Sequence, residues 1–356
     1  MEGYKNSNTN RSWLALGCLL LLCACAEVVD LNTSPGPAQL LISGRITSGL
    51  EGNIIQIATT SPINNGQRPE ERALVYVVSE DGTREQYMPM EEPGFYELEN
   101  SVLIGQTGTK YHLEVELRDG RTYRTEPEEM PGRVGQDFLD FEAGAIRIIN
   151  ENRIEISRNA VRLFMRTEIP NPDTDHFIRW NILETFLFPE RPQIVDSPDF
   201  PPQWCYITND LEEQSVFLYD GSELKTNEIA RRLMTTQFSK DDFAVEYYFQ
   251  VAQSSMTREA HRYWSDIYQV TNAQGSIFDR PMAPVVGNVF NVNDPDEEVL
   301  GYFEVSHVDT TRILLTARDL PFAVTKSCPV AGFVGPECTN CLLLDNSEKK
   351  KPHFLD

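Results

Sequence analysis

Cysteines, histidines and carboxylates are the side chains here that could do chemistry, and their spacing decides which chemistry. Cys338-Thr-Asn-Cys341 is a CxxC, a spacing that serves redox exchange, zinc binding or structural pairing. A redox pair sits at a helix N-terminus beside a βαβ pattern, whereas this one follows Gly335-Pro336 near the end of the chain. A four-cysteine zinc site draws on two close pairs, but Cys205 and Cys328 each stand alone. Two structural disulfides among Cys205, Cys328, Cys338 and Cys341 are therefore expected, with three connectivities open. Five histidines (His112, His176, His261, His307 and His353) form no ligand pattern, and HExxH, GxSxG and phosphate-loop signatures are absent. Asp173-Thr174-Asp175 before His176 reads as the cap of a turn. The acidic run from Asn291 to Glu298 lacks the bend glycine of a calcium loop and is interrupted by Pro295, so an acidic turn is expected. No metal or cofactor is assigned.

Whether those cysteines pair depends on the compartment, which the first 25 residues address. Lys5 and Arg11 precede an uncharged apolar run from Trp13 to Ala26, shorter than the ~20 residues a spanning helix needs. A basic start, short apolar run and small-residue exit describe a secretory signal peptide. Leu22-Cys23-Ala24-Cys25 further resembles the bacterial lipobox, in which the cysteine after the cut is lipidated. Cys18 has too short a run before it, and Cys23 follows the bulky Leu22. Cys25 follows Ala24, so cleavage between Ala24 and Cys25 and acylation of Cys25 with palmitate-type chains are expected. Each buried CH₂ contributes ~0.8 kcal/mol, so several chains hold a protein on a membrane without a span.

The chain carries a net charge of −23. Loss of residues 1–24 removes Glu2, Lys5 and Arg11, a net +1, and leaves −24. Such a body repels phosphate backbones, and no basic stripe offsets it, so nucleic-acid binding is disfavoured. Hydrophobic residues at 40% and aromatics at 10% supply a core and exclude wholesale disorder.

The elements that must position these groups are mainly strands. After a tether at 25–37, QLLISGRITS (39–48), NIIQIATTS (53–61) and GFYELE (94–99) are β-rich. The segments 73–90 and 110–126 each carry an Asp-Gly between two such runs, a hairpin signal. Strands recurring every ~10 residues with turn signals between them indicate a sandwich. Residues 38–132 are therefore expected to form an immunoglobulin-like or transthyretin-like β-sandwich domain, and 133–356 a larger β-rich domain. In the second, RIEISRN, VRLFMRTEI, HFIRWNILETFLF, FAVEYYFQVAQ, LGYFEVSHV and TRILLTAR read as separate strands. The proline-rich 189–205 reads as a surface excursion ending on Cys205, since proline removes ladder donors. SMTREAHRYWSDIYQVTN (255–272) reads as an amphipathic helix with Ala260, Tyr263, Trp264, Ile267, Tyr268 and Thr271 on one face and Ser255 or Thr257 as cap. The cysteine-containing tail is charged and poorly patterned.

Aromatic platforms bind flat ligands, and three tryptophans remain after the leader. Trp264 falls on the helix's apolar face and Trp180 in a half-buried strand position. Trp204, after Pro201-Pro202 and before Cys205, is the candidate ligand contact.

CAEVVDLN after the lipobox, QLLISGRIT, GNVFNVNDPDEEVLGYFEVS and ECTNCLLLDNSEKKKPHF together resemble an uncharacterised lipoprotein family of Bacteroidota, classified as a domain of unknown function. Its members are often encoded beside TonB-dependent outer-membrane receptors. The resemblance implies a lipid-anchored outer-membrane protein acting as a non-enzymatic accessory or ligand-capture partner of such a receptor, facing the periplasm or the cell surface. It brings no catalytic residues. The alternatives are a structural or adhesive surface sandwich without a small ligand, and a hydrolase whose paired acids meet only in three dimensions.

Overall fold

Alternation of apolar and polar residues commits the first third of the chain to strands, and the computed structural model shows how they are layered. It describes residues 38–49, 52–61, 66–98, 105–191, 202–211, 217–222, 225–272, 285–328 and 335–355. The leader, with Ala24 and Cys25, lies outside the described residues. The protein is mainly β.

β1 (Leu40–Thr47), β2 (Ile54–Thr60) and β3 (Gln67–Pro69) precede a hairpin of β4 (Leu74–Ser79) and β5 (Arg84–Pro89). β6 (Phe95–Glu97), the hairpin of β7 (Lys110–Glu116) and β8 (Thr122–Thr125), and the short β9 (Glu128–Glu129) follow. Both hairpins turn on the expected Asp-Gly, with Gly82 at φ 87° and Gly120 at φ 89°, where a Cβ would be strained. A layer of β1, β2 and β6 packs on a layer of β4, β7 and β8. Tyr111, Leu113 and Val115 point inward at alternate positions and meet Ile42, Ile46, Ile55 and Ile57 in one core.

The second half holds β10 (Gln136–Ile149), β11 (Glu155–Glu168), β12 (Phe177–Glu190), β13 (Gln203–Asp210), β14 (Phe217–Asp220), β15 (Glu228–Phe238) and β16 (Tyr247–Ser255), then helix α1 (Arg258–Asn272). β10, β11 and β15 form a three-stranded antiparallel sheet. It packs on the sheet of β12, β13 and β16, with Leu163, Met165, Trp180, Ile182 and Phe249 in the shared core.

Several expectations change here. β10 was not foreseen, because Asp137, Asp140, Glu142 and Gly144 break its apolar pattern. RIEISRN and VRLFMRTEI join into the single strand β11. Trp180 is 1% exposed rather than half-buried, since β12 is covered by a second sheet. The proline-rich excursion is shorter than expected: Pro189 is the penultimate residue of β12, opposite Trp204, and Cys205 lies inside β13 opposite Phe188. A proline at a strand end forfeits one donor and no more. Residues 192–201 lie outside the described residues. The helix begins at Arg258, where Thr257 Oγ1 accepts from Ala260 N at 3.1 Å, and Ser255 belongs to β16. Its buried face is Ala260 and His261, with Tyr263 and Trp264 half-covered, while Tyr268 is 45% exposed.

The chain then returns to the first sandwich. β17 (Val289–Asn291) pairs with β8, and β18 (Val299–Leu300) runs parallel to β1. β19 (Phe303–Leu315) spans both halves. Its first residues run parallel to β1 and its remainder pairs antiparallel with β16, so LGYFEVSHV and TRILLTAR belong largely to one strand. β20 (Ser347–Glu348) adds to β13.

Candidate functional site: a polar cleft under the C-terminal tail

The last 21 described residues look unstructured in sequence because they carry little periodicity, yet covalent and packing contacts fix them. Cys205 is bonded to Cys341 and Cys328 to Cys338, so the CxxC cysteines pair with different partners and not with each other. Cys205 and Cys341 are fully buried. Glu190, at the end of β12, accepts from Cys341 N at 3.2 Å and from Lys349 Nζ at 3.1 Å. Its Oε2 lies 2.7 Å from Cys341 Sγ. Glu190, Cys205 and Cys341 cluster like metal ligands, but the two sulfurs are bonded to one another and offer no thiolate. Arg191 N donates to Cys338 O at 2.7 Å. Further on, Asn346 Nδ2 donates to Asn209 Oδ1 at 3.1 Å, and the Phe354 ring packs edge-on to Tyr248 with centroids 5.5 Å apart.

These contacts lay the tail across the outer face of β13. Alternation sends Cys205 and Ile207 into the core and leaves Trp204, Tyr206 and Thr208 on the opposite face. A cleft of about 510 Å³ opens there, within the range of small-ligand sites. Tyr206 and Thr208 form its floor, Asn346, Glu348, Lys350 and Lys351 line the tail side with Pro352 and His353, and Glu97 of β6 completes the lining. Thr208 Oγ1 is hydrogen-bonded to Thr185 Oγ1 at 2.8 Å. Trp204 is 38% exposed on the same strand face as Tyr206 and outside the lining.

Sequence reasoning singled out Trp204 and missed its neighbours. The alternation in WCYITND held the signal for Tyr206 and Thr208. The three-lysine run 349–351, in an otherwise acidic chain, held the signal for the tail. Nothing local pointed to Glu97, which arrives from the other sandwich.

A second polar constellation lies inside, where α1 meets the first sandwich. Glu128 accepts from the Tyr302 hydroxyl, from Thr257 Oγ1 at 2.9 Å and from Asn288 Nδ2 at 3.2 Å. Burial pushes its carboxyl up to about 7 against the pull of those donors. Glu304, fully buried, would be raised by burial too, but the Arg179 and Arg45 guanidinium groups hold it below the usual range. Two carboxylates driven apart in this way are a pattern of acid–base sites. Here their oxygens are spent on Tyr302, Thr257, Asn288, Arg179 and Trp264, which makes a bridge between sheets and helix. A third group, Glu184, is buried and accepts from Lys240 Nζ at 2.6 Å, Asn209 Nδ2 at 2.9 Å and the Tyr247 hydroxyl.

The remaining sequence candidates are turn and surface groups. Asn291 Oδ1 accepts from Asn293 N and Asp294 N at 2.8 and 3.2 Å, and Glu297 accepts from Tyr123 and Arg121, so this acidic run folds onto its own backbone and onto β8. His176 contacts Asn171 O at 2.6 Å within the turn before β12. Asp175 pairs with Lys225 at 2.6 Å and with Arg258. His112 lies 3.5 Å from Glu114, and His261 packs on Phe177. Among the described residues no helix is long and apolar enough to cross a membrane.

No curated protein matches the chain. A family signature matches residues 26–312, taking in the QLLISGRIT strand and the GNVFNVNDPDEEVLGYFEVS segment and stopping short of the tail. The chain belongs to that family, described as a domain of unknown function (DUF4249).

Proposed function

We propose that this protein is anchored to the outer membrane by lipid on Cys25 and captures a small polar ligand, as a non-enzymatic accessory subunit of a TonB-dependent receptor. The observation that carries the capture role is the tail cleft. Two buried disulfides and the Glu190–Lys349 pair hold a charged segment over a strand face, leaving about 510 Å³ lined by hydroxyl, amide and charged groups. Fixing a wall in advance removes the ordering cost that a mobile tail would impose on binding. Leu22-Cys23-Ala24-Cys25 supports the anchor, and the resemblance to receptor-linked lipoproteins supports the partner, by analogy alone.

Affinity purification of a tagged full-length copy from gently solubilised outer membranes tests this reading. A stoichiometric TonB-dependent barrel in the eluate is the expected result. A lipidated, folded protein that elutes alone would turn the reading to a structural or adhesive role. One observation favours that second reading: the far end of the β10–β11 hairpin exposes Ile149 at 75% and Ile154 at 58%, an apolar contact surface standing away from the core.

A further inference from the structure

Opposite charges line the tail cleft without closing on one another. Glu97 from β6, Glu348 from β20 and Lys350 from the tail all border it. None of these three side chains makes an ion pair or hydrogen bond among the described residues. Next to Lys350, Lys349 turns away to Glu190 at 3.1 Å, so pairing is available to lysines of this segment and Lys350 does not take it. The lining's Lys351 and His353 already have partners. A carboxylate pole and an ammonium pole thus stand further apart than an ion pair. The same lining offers groups that hydrogen-bond without charge: the Tyr206 hydroxyl, Thr208 Oγ1 and the Asn346 amide.

This layout discriminates among ligand classes. A phosphate or other plain anion would face Glu97 and Glu348 as well as Lys350, and a plain cation would face Lys350 and Lys351. A neutral sugar stacks on a broad exposed aromatic face, and the indole of Trp204 lies outside the lining, which offers the Tyr206 and His353 rings amid several charged groups. A molecule with an ammonium at one end, a carboxylate at the other and amides between satisfies both poles and the floor. We propose that the cleft binds a short zwitterionic peptide, with its amino terminus at Glu97 and Glu348 and its carboxylate at Lys350. This assignment rests on the capture reading above and narrows it to one ligand class.

Calorimetric titration of the detergent-solubilised full chain tests it with three probes: trialanine, the same peptide acetylated and amidated at its ends, and maltose. Trialanine should saturate one site, and capping should weaken it at least about tenfold, the effect of losing charge-assisted hydrogen bonds. Lys350→Gln and Glu348→Gln should each weaken trialanine about tenfold and leave the capped peptide unchanged. Equal binding of capped and uncapped peptide would overturn the assignment, since the poles would not be read. Binding of maltose alone, lost in Tyr206→Ala, would overturn the peptide class and preserve the capture role. No binding of any probe to a chain whose far-ultraviolet spectrum is native would overturn the assignment, and the receptor purification would then judge the accessory role separately.

Discussion

The indole Nε1–H of Trp264 donates to the Glu304 carboxylate at 2.6 Å, which ties α1 to β19. The same carboxylate accepts from Arg179 Nη2 at 3.0 Å, and the Arg179 guanidinium lies 4.1 Å from the Trp264 ring centre. The ion pair is buried, with side chains 8% and 3% exposed, so removing one partner strands the other charge in the interior. Breaking such a pair costs about 3–5 kcal/mol, whereas replacing both members by packed apolar groups costs far less. Glu304→Gln should therefore lose stability on that scale in urea titration. The double variant Glu304→Leu/Arg179→Met should recover part of it, read as a positive coupling in a double-mutant cycle.

Glu128 gives stability a pH dependence of definite sign. Its carboxyl is pushed up to about 7 in the folded chain by burial, above the ordinary value near 4.3 it regains on unfolding. The folded state then binds the proton more tightly than the unfolded one. The associated stability is fully present below the unfolded value and is lost as pH rises through about 7. The loss amounts to at most about 4 kcal/mol. Glu128→Gln fixes the uncharged form, so its melting temperature relative to the parent should rise between pH 5 and 7.5 and level off above. Two parallel pH–melting curves would count against this assignment. The buried His261 and the half-buried His307 are lowered by burial and slope the opposite way in both proteins, so the difference between the curves isolates Glu128.

The two disulfides should differ in weight because they close loops of different length. Cys205 and Cys341 are 136 residues apart, and Cys328 and Cys338 only 10. Loop-closure entropy assigns about 5 kcal/mol to the first and about 3 kcal/mol to the second. Cys205→Ser/Cys341→Ser should destabilise the protein more and release the tail, seen as faster amide exchange in 341–355 and at Tyr206 and Ile207. Non-reducing peptide mapping checks the pairing directly. A peptide linking Cys338 to Cys341 would contradict it.

How far the chain could be read before folding depended on where its information lay. The Asp-Gly hairpins were legible because turn chemistry and strand alternation both act within a few residues. The even cysteine count pointed to two disulfides, but their pairing depends on which strand Cys205 joins, a fact of distant topology. Residues 287–306 looked like part of the second domain by position. They nonetheless complete the first sandwich through β17, β18 and β19, because parallel pairing with β1 needs a long return that no local pattern encodes. β10 was hidden for a different reason: its outer face carries Asp140 and Glu142, held by Arg162 on the adjacent β11 and by Arg231 reaching over from β15. Of the cleft, Trp204 was legible as an exposed aromatic and its exposure holds, while the cavity itself forms two residues along the same strand, where the tail crosses.

The proposed anchor rests on chemistry at one atom, the Cys25 thiol, and so admits a clean substitution. With the wild-type leader, cleavage before Cys25 and acylation of that residue should send the protein into the detergent phase of a Triton X-114 partition. Metabolic labelling with an alkynyl palmitate analogue should mark it. Acyl chains contribute ~0.8 kcal/mol per buried CH₂, and one chain alone binds a membrane only marginally, so loss of the acylated residue should release the protein altogether. Cys25→Ser should abolish the label and move the protein to the aqueous phase or leave it as an uncleaved precursor. Cys23→Ser should keep both label and detergent partition, because Leu22 before it makes a poor cut site. If Cys23→Ser lost the label and Cys25→Ser kept it, the modified residue would be misassigned. If neither carried label, the anchor would fall, and with it the argument that the cleft works beside a membrane receptor.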